Sequence, residues 1–584
     1  MSASVDTAAE RRIAVSVLVV GTGAAGLRAA IELAERGVDV LCVGKRRRDD
    51  AHTVLAAGGI NAALGTVDPE DSWEQHAADT LREGYWLGDP ESVELLCREA
   101  PAAIDDLLRW GARFATEPDG RLTQRFFGAH RYRRTCFAGD YTGREIQRAL
   151  VSRATELGIA MRDDLYVTRL LVHDSRVFGA YGFDLDSGTR SLILADAVVL
   201  AAGGHTRIWR RSSSRRDENT GDAMRLAAEA GCRLRDMELV QFHPTGMVHP
   251  EESAGTLVTE AVRGEGGVLR NAVGERFMER YDPARLELSA RDRVALANYT
   301  EIAEGRGTEH GGVLLDVSHL DRDRILNRIP RMYRQFVDLA MLDITTTPME
   351  VAPTAHYSMG GILVEAATHA TDVEGLYAVG ECAAGVHGAN RLGGNSLLEC
   401  LVFGRIVGAE AARSSAELEV HVRERRAVAV AREEVDELLA RRGSEFPRPL
   451  QRALRDLMSE CCGVVRSEEG LREGLACLAE IRSHTDEIEV RPDIAGYADL
   501  AHAFDLHGSL LAGRATLESA LERRETRGAH NRADYPDQDP GLQFNLVWAV
   551  DGTVTRRSIG SPSPLVAALA NEDSEIETAG KLLE

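Results

Sequence analysis

Apolar and polar positions near the N-terminus follow the order strand, helix, strand. A mostly apolar run from Val15 to Val20 is typical of a buried strand, and a second run from Val38 to Val43 has the same character. Between them, "LRAAIELAERG" places apolar residues at helical spacing, which predicts an amphipathic helix. Gly21, Gly23 and Gly26 precede this helix as G-x-G-x-x-G. Such glycines allow a tight turn and close approach to a pyrophosphate, so the pattern predicts a dinucleotide-binding turn.

Two later segments continue the pattern. Ala195 to Thr206, "ADAVVLAAGGHT", predicts a buried strand ending in a glycine pair, and Gly375 to Arg405 predicts a strand, a glycine-rich loop and a helix. Roughly 170 residues separate them, which indicates an inserted domain. From Ser415 to Arg527 apolar residues recur at helical spacing, and Asp551-Gly552 in "FNLVWAVDGTVTRR" predicts a β-hairpin.

The predicted architecture is α/β: a Rossmann-like nucleotide-binding domain with an inserted α+β domain, then a helical domain and a short β-containing C-terminal tail. A chain of 584 residues requires several cores, in agreement with this division. The predicted boundaries are 1–235 and 349–414 for the two parts of the nucleotide-binding domain, 236–348 for the inserted domain, 415–527 for the helical domain and 528–584 for the tail.

Charge and cysteine content exclude several classes of protein. The formal net charge of −23 argues against nucleic acid as a main partner, because phosphate binding requires a basic surface. The nine cysteines form no C-x-x-C pair, which argues against a structural zinc site or a cysteine-ligated cluster of the usual spacing. We therefore expect no metal site, reduced thiols and a cytoplasmic location. No uncharged apolar stretch reaches about 18 residues, so we expect no membrane span in this chain.

Five segments place histidine or arginine among small residues. Small neighbours let a ligand approach the backbone closely, and arginine offers a fork that matches a carboxylate. Singly, each histidine or arginine is more commonly a turn residue or a solvated surface group. The segments are "QFHPTG" (241–246), "TLVTEAVRGEGG" (256–267), "LSARDR" (288–293), "PTAHYSMGG" (353–361) and "HGANRLGGNS" (387–396).

Together, these motifs resemble the flavoprotein subunit of the succinate dehydrogenase/fumarate reductase family, which also includes L-aspartate oxidase. The resemblance runs from about Val15 to Pro536 and is closest in "GECAAGVHGANRLGGNS" and "RGEGG". It implies an FAD-dependent oxidoreductase that acts on CH–CH groups. It also implies that the inserted domain caps the FAD-binding domain.

The resemblance also implies which residues hold FAD. A generic dinucleotide site carries an acidic residue for the ribose after its second strand, but this chain has Gly44-Lys45 there. Glu381 follows a later predicted strand and could supply that acidic group. The pyrophosphate would lie on Gly21, Gly23, Ala24, Ala25 and Gly26. The rest of the FAD site would be formed by Lys45, His52, Thr53, Gly58, Gly59, Asp222, Glu381, Ser396 and Leu397.

One histidine, His52, lies just before the pair Gly58-Gly59 in "DDAHTVLAAGG". In the family, a histidine in "SHT" ahead of such a pair bonds covalently to the flavin, and "AHT" holds that place here. The resemblance therefore implies FAD attached through His52, which would raise the flavin potential. The alternative is a loop histidine beside a non-covalent flavin. Ala51 departs from the family's serine, and Ala57 replaces the glutamine of dehydrogenases or the glutamate of reductases, which leaves the physiological direction open.

The resemblance implies a C4 dicarboxylate substrate held at both ends. His243 and Thr259 would bind one carboxylate, and His356 and Arg391 the other. Phe127, in "QRFFGAH", would pack over the substrate. Fixing both ends aligns the reacting carbons with the flavin, an orientation effect worth up to about 7–11 kcal/mol.

Proton transfer is assigned by the resemblance to Arg291, with Glu260 and Arg263 relaying protons to solvent. A guanidinium normally stays protonated, so donation in the reductive direction is the easier role, with reprotonation by Glu260. The alternative for Glu260 and Arg263 is an i,i+3 pair on a helix surface. The glycines that follow Arg263 disfavour that alternative.

Two other functions stay open at this point. L-aspartate oxidase lacks the flavin-linking histidine, and it has a glutamate facing the substrate amine where Phe127 stands. A catalytically idle flavoprotein, serving as a scaffold or an electron-transfer module, would be favoured if a clamp or acid residue were missing, and none is.

The sequence contains no C-x-x-C-H haem motif, so electrons must pass to or from another chain. The family supplies an iron–sulfur subunit, usually with a membrane anchor subunit. We therefore expect a cytoplasmic chain that lies peripherally on the inner face of the cytoplasmic membrane through its partners.

Overall fold

The structure is a computed structural model that describes residues 10–417, 421–492 and 496–572. Outside the described residues lie 1–9 of the predicted first domain, 418–420 and 493–495 of the predicted helical domain, and 573–584 of the predicted tail. The predicted α/β class is confirmed, because a mixed, mainly parallel sheet with flanking helices precedes a helical region.

A seven-stranded sheet forms the centre of the predicted nucleotide-binding domain. Its spatial order is Ala160–Arg162, Val40–Val43, Glu10–Val20, Arg190–Leu200, Arg176–Asp184 and Leu165–His173, and Leu376–Ala378 pairs with the end of Arg190–Leu200. Glu10–Val20 is parallel to both of its neighbours, as a dinucleotide fold requires. It begins at Glu10 rather than at the predicted Val15, because its first residues extend the ladder with Arg190–Leu200 while their side chains remain partly or fully exposed.

Alternate residues of Glu10–Val20 enter two cores, one on each face of the sheet. Val17 and Val19 belong to one core, and Leu18 and Val20 to the other. The first core also contains residues of the helices Ala24–Glu35, Trp73–Glu83, Pro90–Arg109, Thr142–Glu156 and Asn395–Ala416. The second contains Asp222–Ala230 and the helices of the helical domain. A short ladder joins Ile60–Asn61 to Thr135–Cys136.

The capping domain is built on a four-stranded antiparallel sheet with its own core. The strand order is Val240–Met247, Met349–Ser358, Val313–Asp316 and Val268–Arg270. The helices are Ala261–Gly264, Met278–Tyr281, Arg291–Glu301, Arg322–Arg328 and Pro330–Ala340. The predicted boundary at 348/349 separates Met349–Ser358 from its two partners, so by its hydrogen bonds this strand belongs with the capping sheet.

The helical domain and the tail follow the predicted order. The helices are Arg425–Ala440, Pro447–Cys461, Glu468–Ser483 and Ala498–Glu522, and Val465–Arg466 pairs with Asn531–Arg532. The predicted hairpin consists of Phe544–Trp548 and Val554–Ser558, with Gly552 in the left-handed region at φ 88°. The sequence did not predict that Val547 pairs with Arg235, which joins the hairpin to Leu234–Arg235 and Gly361–Ile362 in one small sheet. A final helix, Pro564–Asn571, contributes Val566 and Ala570 to the first core.

Candidate active site

A cleft of about 1750 Å³, counting the solvent at its mouth, runs from the glycine turn to the capping domain. Every residue predicted to bind substrate or cofactor lines this cleft except Gly26. Arg291 and Glu260 also line it, and Arg263 lies behind Glu260.

The glycine turn at one end of the cleft has no space for side chains. A Cβ atom on Gly21, whose φ is +120°, would lie 2.1 Å from the Ala201 carbonyl oxygen, and one on Gly26 would lie 1.9 Å from the Gly21 oxygen. Gly26 therefore acts by letting the helix Ala24–Glu35 pack against the turn. The Ala24 N–H donates to Thr53 Oγ1 at 3.0 Å, which holds the "AHT" segment against the start of that helix.

Lys45 marks a second part of the cleft. Its ammonium donates to Asp222 at 3.0 Å and to Asp505 at 3.4 Å. Burial alone would lower the pKa of Lys45, but these two carboxylates raise it above its usual range. Asp505, on helix Ala498–Glu522, also accepts from the Tyr166 hydroxyl at 2.8 Å and from Thr220 at 2.9 Å. The helical domain thus contributes a buried carboxylate beside the cofactor cleft.

Glu381 lies beside the capping strand and not beside Lys45. Its carboxylate accepts from the Ser358 N–H at 3.1 Å and from the Asn219 amide at 3.1 Å. Burial raises the pKa of Glu381, and the nearby His52 opposes this shift. The predicted contact with the ribose remains a prediction.

His52 begins a short 3-10 helix, His52–Leu55, and about a third of its side chain is exposed. Its Nδ1 lies 3.0 Å from Glu218 Oε2. Burial would lower the pKa of His52, but the bond to Glu218 raises it above the ordinary value. The same contact, with Arg215 and Arg46, lowers the pKa of Glu218 to about 2 against the effect of burial.

Two histidines face each other where the capping domain meets the cleft. The rings of His243 and His356 are 5.2 Å apart, centre to centre, at 67°. His356 Nδ1 lies 2.8 Å from Ser213 Oγ, and Thr259 is buried nearby on the same wall. Burial lowers the pKa of both histidines well below the ordinary value, and Arg291 lowers both further. Both are therefore neutral hydrogen-bonding groups at physiological pH.

Arg391 is a buried cation without a carboxylate partner in the described part of the chain. It is 2 % exposed, its Nε has no hydrogen-bond partner there, and its Nη1 makes only long contacts, 3.5 Å to Leu392 O and 3.4 Å to Ser396 Oγ. The guanidinium lies 4.5 Å from the centre of the Tyr357 ring. Burial and Arg291 lower the pKa of Arg391 to about 10. Because an unpaired buried charge is costly, this side chain fits an anionic ligand.

Arg291 is the first residue of helix Arg291–Glu301, and its Nε donates to Glu260 Oε2 at 2.8 Å. Arg263 Nη2 lies 3.7 Å from the same oxygen. Burial would raise the pKa of Glu260, but the two arginines hold it at about 2. Glu260 and Arg263 are 4 % and 2 % exposed, so they do not form a surface pair. Arg293, two residues on, is mainly exposed.

Phe127 packs against two glycines of the cleft, Gly58 and Gly393. A Cβ atom on Gly58 would lie 2.7 Å from Phe127 Cζ, and one on Gly393 would lie 3.1 Å from Phe127 Cδ2. A side chain at Gly58 would therefore displace the ring, whereas at Gly393 the ring would have to move by only a few tenths of an ångström. Phe127 is buried and lines the cleft, where an apolar ring can exclude water.

Four further residues line or support the cleft, and sequence reasoning missed them. Tyr357 follows His356 in "PTAHYSMGG" and could have been inferred from that motif. Asn219 and Glu218 directly precede "TGDAM", but nothing in their spacing indicates a ligand. Asp505 lies in an ordinary helical pattern far along the chain, so only the packed structure brings it to Lys45.

The residues fit FAD at the turn, since Gly21, Gly23, Ala24 and Ala25 line the cleft at the N-terminus of helix Ala24–Glu35, where backbone N–H groups suit a pyrophosphate. Among the described residues no group of His, Cys, Asp and Glu is arranged to hold a metal ion. All cysteines are free thiols, most of them buried. The described part of the chain also has no helix with the length and hydrophobicity needed to cross a bilayer.

Comparison with known protein families defines the class of the chain. Residues 16–397 match the FAD binding domain model, and residues 451–556 match the model of the fumarate reductase flavoprotein C-terminal region. The chain belongs to the succinate dehydrogenase/fumarate reductase flavoprotein family and is an FAD-dependent oxidoreductase that acts on CH–CH groups.

Relatives with known names agree with this class. The chain is 43 % identical to one subunit of the fumarate reductase (CoM/CoB) of Methanothermobacter marburgensis, over 91 % of this chain and 96 % of that protein. It is 38 % identical to the succinate dehydrogenase flavoprotein subunit of Rickettsia felis, over 90 % and 91 %.

Two solved structures have the same fold. Mycobacterium smegmatis Sdh1, solved in complex with UQ1, matches with a TM-score of 0.88 and 40 % identity over 97 % of this chain and 98 % of that chain. FrdA of E. coli quinol fumarate reductase matches with a TM-score of 0.89 and 31 % identity over 96 % and 100 %. The predicted fold class is confirmed by these matches.

Proposed function

We propose that this chain interconverts succinate and fumarate as the flavoprotein subunit of a larger complex. The observation that carries the proposal is Arg391, a buried guanidinium with no carboxylate partner in the described part of the chain. It lines the same cleft as the two neutral histidines and Thr259. A small dianion would supply the missing negative charge, while His243 and Thr259 would accommodate its second carboxylate.

Binding at both ends would orient the substrate within the cleft. Arg391 would take one carboxylate with His356, and Phe127 would shield the central carbons from water. Bound FAD supplies hydride transfer at one of those carbons. The neutral histidines suit this clamp because they donate hydrogen bonds without adding positive charge.

Arg291 would move the proton at the other central carbon. Its guanidinium is hydrogen-bonded to Glu260, which is ionised and buried, so after Arg291 gives its proton to substrate this carboxylate would take up a proton from the relay and return it to Arg291. Arg263 would continue the relay, since its Nη2 lies 3.7 Å from Glu260 Oε2 and its Nη1 donates to the Glu287 carbonyl oxygen. Arg291 would be the donor, and Glu260 and Arg263 the relay that resupplies its proton.

Electrons would leave or arrive through an iron–sulfur subunit on a separate chain, with a membrane anchor subunit beyond it. This proposal is supported by the relatives, which are named as subunits, and by one solved with UQ1. The location would then be the inner face of the cytoplasmic membrane, reached only through partners.

FAD would be bound covalently through His52, which lines the cleft beside Glu218.

A stopped-flow experiment tests the proposal. The chain is purified with its FAD, reduced with dithionite and mixed separately with fumarate and with oxygen, while the oxidised chain is mixed with succinate and with L-aspartate. Rapid flavin reoxidation by fumarate, inhibited by malonate, is the expected result. Flavin reduction by L-aspartate would assign the chain to the oxidase, and no response to any dicarboxylate would assign it to an idle electron-transfer module.

A further inference from the structure

Glu218 lies directly behind His52 and is itself buried. The two side chains meet at 3.0 Å between Nδ1 and Oε2, and the Glu218 side chain is 5 % exposed. The proposed function uses His52 but assigns no role to Glu218. A buried carboxylate beside a histidine that lines the cofactor cleft requires an explanation of its own.

Glu218 is held in place by cations on its other oxygen. Arg46 Nε lies 3.2 Å, and Arg215 Nη1 3.1 Å, from Oε1. Both arginines also contact Asp50, at 2.5 Å and 2.8 Å. The network occupies Oε1 and leaves Oε2 to His52, so the carboxylate is fixed in orientation and stays ionised.

An ionised carboxylate can only accept a hydrogen bond, so its partner nitrogen must carry the proton. The neutral ring of His52 is therefore the Nδ1–H tautomer, with a lone pair on Nε2. We infer that Glu218 is the positioning residue that presents His52 Nε2 as the nucleophile for covalent attachment of FAD. This inference rests on the proposed function, since it explains how that attachment would occur.

The attachment step balances with the substrate already proposed. A bond forms between Nε2 and a methyl carbon of the flavin benzenoid ring, and one C–H bond of that methyl breaks. The electron pair of the broken C–H bond would reduce the flavin ring. The ring would also take up two protons, one from the methyl group and one that leaves the imidazole past Glu218. Fumarate then takes up the two electrons and two protons and leaves as succinate.

The charged and titratable groups around His52 set the pH range of this step. They are Glu218 and Arg215 on the segment before "TGDAM", Glu381 on the strand-end loop and His356 on the capping strand. Attachment needs the neutral ring, so its rate should rise with pH through the His52 pKa. Glu218 raises that pKa, so removing its charge should move the midpoint to lower pH.

The test compares E218Q with D217N. Asp217 contacts the same Arg46 at 2.7 Å but does not contact His52 in the structure, so D217N removes a charge from the network without touching the ring. The full chain is prepared from riboflavin-starved cells and incubated with FAD and fumarate between pH 6 and pH 9. Intact-mass spectrometry measures covalent flavin, and acid extraction measures flavin that is bound but not attached.

The expected result is normal total FAD in both variants, with attachment about 10–100-fold slower in E218Q and its pH midpoint lowered. D217N should match the parent. Equal attachment rates in E218Q and the parent would overturn the inference while leaving covalent FAD intact. Loss of total FAD in E218Q without a shift in midpoint would make Glu218 a structural residue only. A parent chain that turns over fumarate but never gains mass would overturn the inference and leave the proposed reaction standing.

Discussion

Arg291 and Glu260 are joined by a hydrogen bond of 2.8 Å from Nε to Oε2, and both side chains lie out of bulk solvent. Under the proposed function, the pairing would keep the proton donor in contact with the carboxylate that returns its proton, before any substrate arrives. It also holds the arginine at the start of a helix, where its direction is fixed by the backbone.

Arg291→Ala tests the proton role. Fumarate reduction should fall by at least about 10²–10⁴-fold, the usual contribution of a general acid, while fumarate still perturbs the flavin spectrum through the remaining clamp. Arg293→Ala is the matched control, because that side chain is 57 % exposed and should cost little. Single-turnover absorbance with reduced protein measures both. Reoxidation of the Arg291→Ala flavin at the parent rate would transfer the role to His243.

Arg391→Lys tests the clamp. The change keeps the charge but removes the fork, so binding of succinate and malonate should weaken by about 1–3 kcal/mol. Titration of the flavin absorbance with malonate gives the dissociation constant directly. Unchanged malonate affinity would remove Arg391 from the substrate site.

His52→Ser tests covalent attachment. FAD should remain bound, because the glycine turn and Lys45 are unchanged, but acid precipitation should leave the polypeptide colourless. Without the covalent bond the flavin potential falls, so succinate oxidation should be lost while fumarate reduction is partly kept. Equal loss in the two directions would contradict the argument from potential.

Acid sensitivity tests the charge state of Glu260. The folded pKa of about 2 lies below the ordinary 4.5, so its ionised form stabilises the fold above about pH 4.5, and this contribution is lost as the pH falls toward 2. Glu260→Gln should therefore lower the free energy of unfolding near neutrality by about 3 kcal/mol, with the difference from the parent shrinking in acid.

Urea unfolding at a series of pH values measures this difference. Glu309→Gln serves as the control, since its carboxylate is 86 % exposed and should contribute little at any pH. A parent-to-variant difference that does not change between pH 7 and pH 3 would mean that Glu260 acts through packing and not through its charge.

Sequence patterns predicted the elements of the fold well where apolar periodicity and glycine spacing dominate. The turn at Gly21, the helix after it and the hairpin around Gly552 needed only local information. The family's motifs supplied the residues that now share one cleft. Sequence patterns could not predict Asp505 and Glu218 as site residues, because their positions depend on tertiary packing. That packing brings a helix of one domain and a loop of another to the same cleft. The pairing of Val547 with Arg235 was not predictable for the same reason.

The pairing of Val547 with Arg235 affects how the chain folds during translation, because Val547 lies near the C-terminus. The first strand and turn leave the ribosome early, whereas Asp505 and the hairpin that joins Leu234–Arg235 emerge near the end of translation. Contacts between residues so far apart in the chain form slowly, because a long loop must close first. A nascent or truncated chain would therefore expose apolar surface of an unfinished cleft, and such surface promotes aggregation.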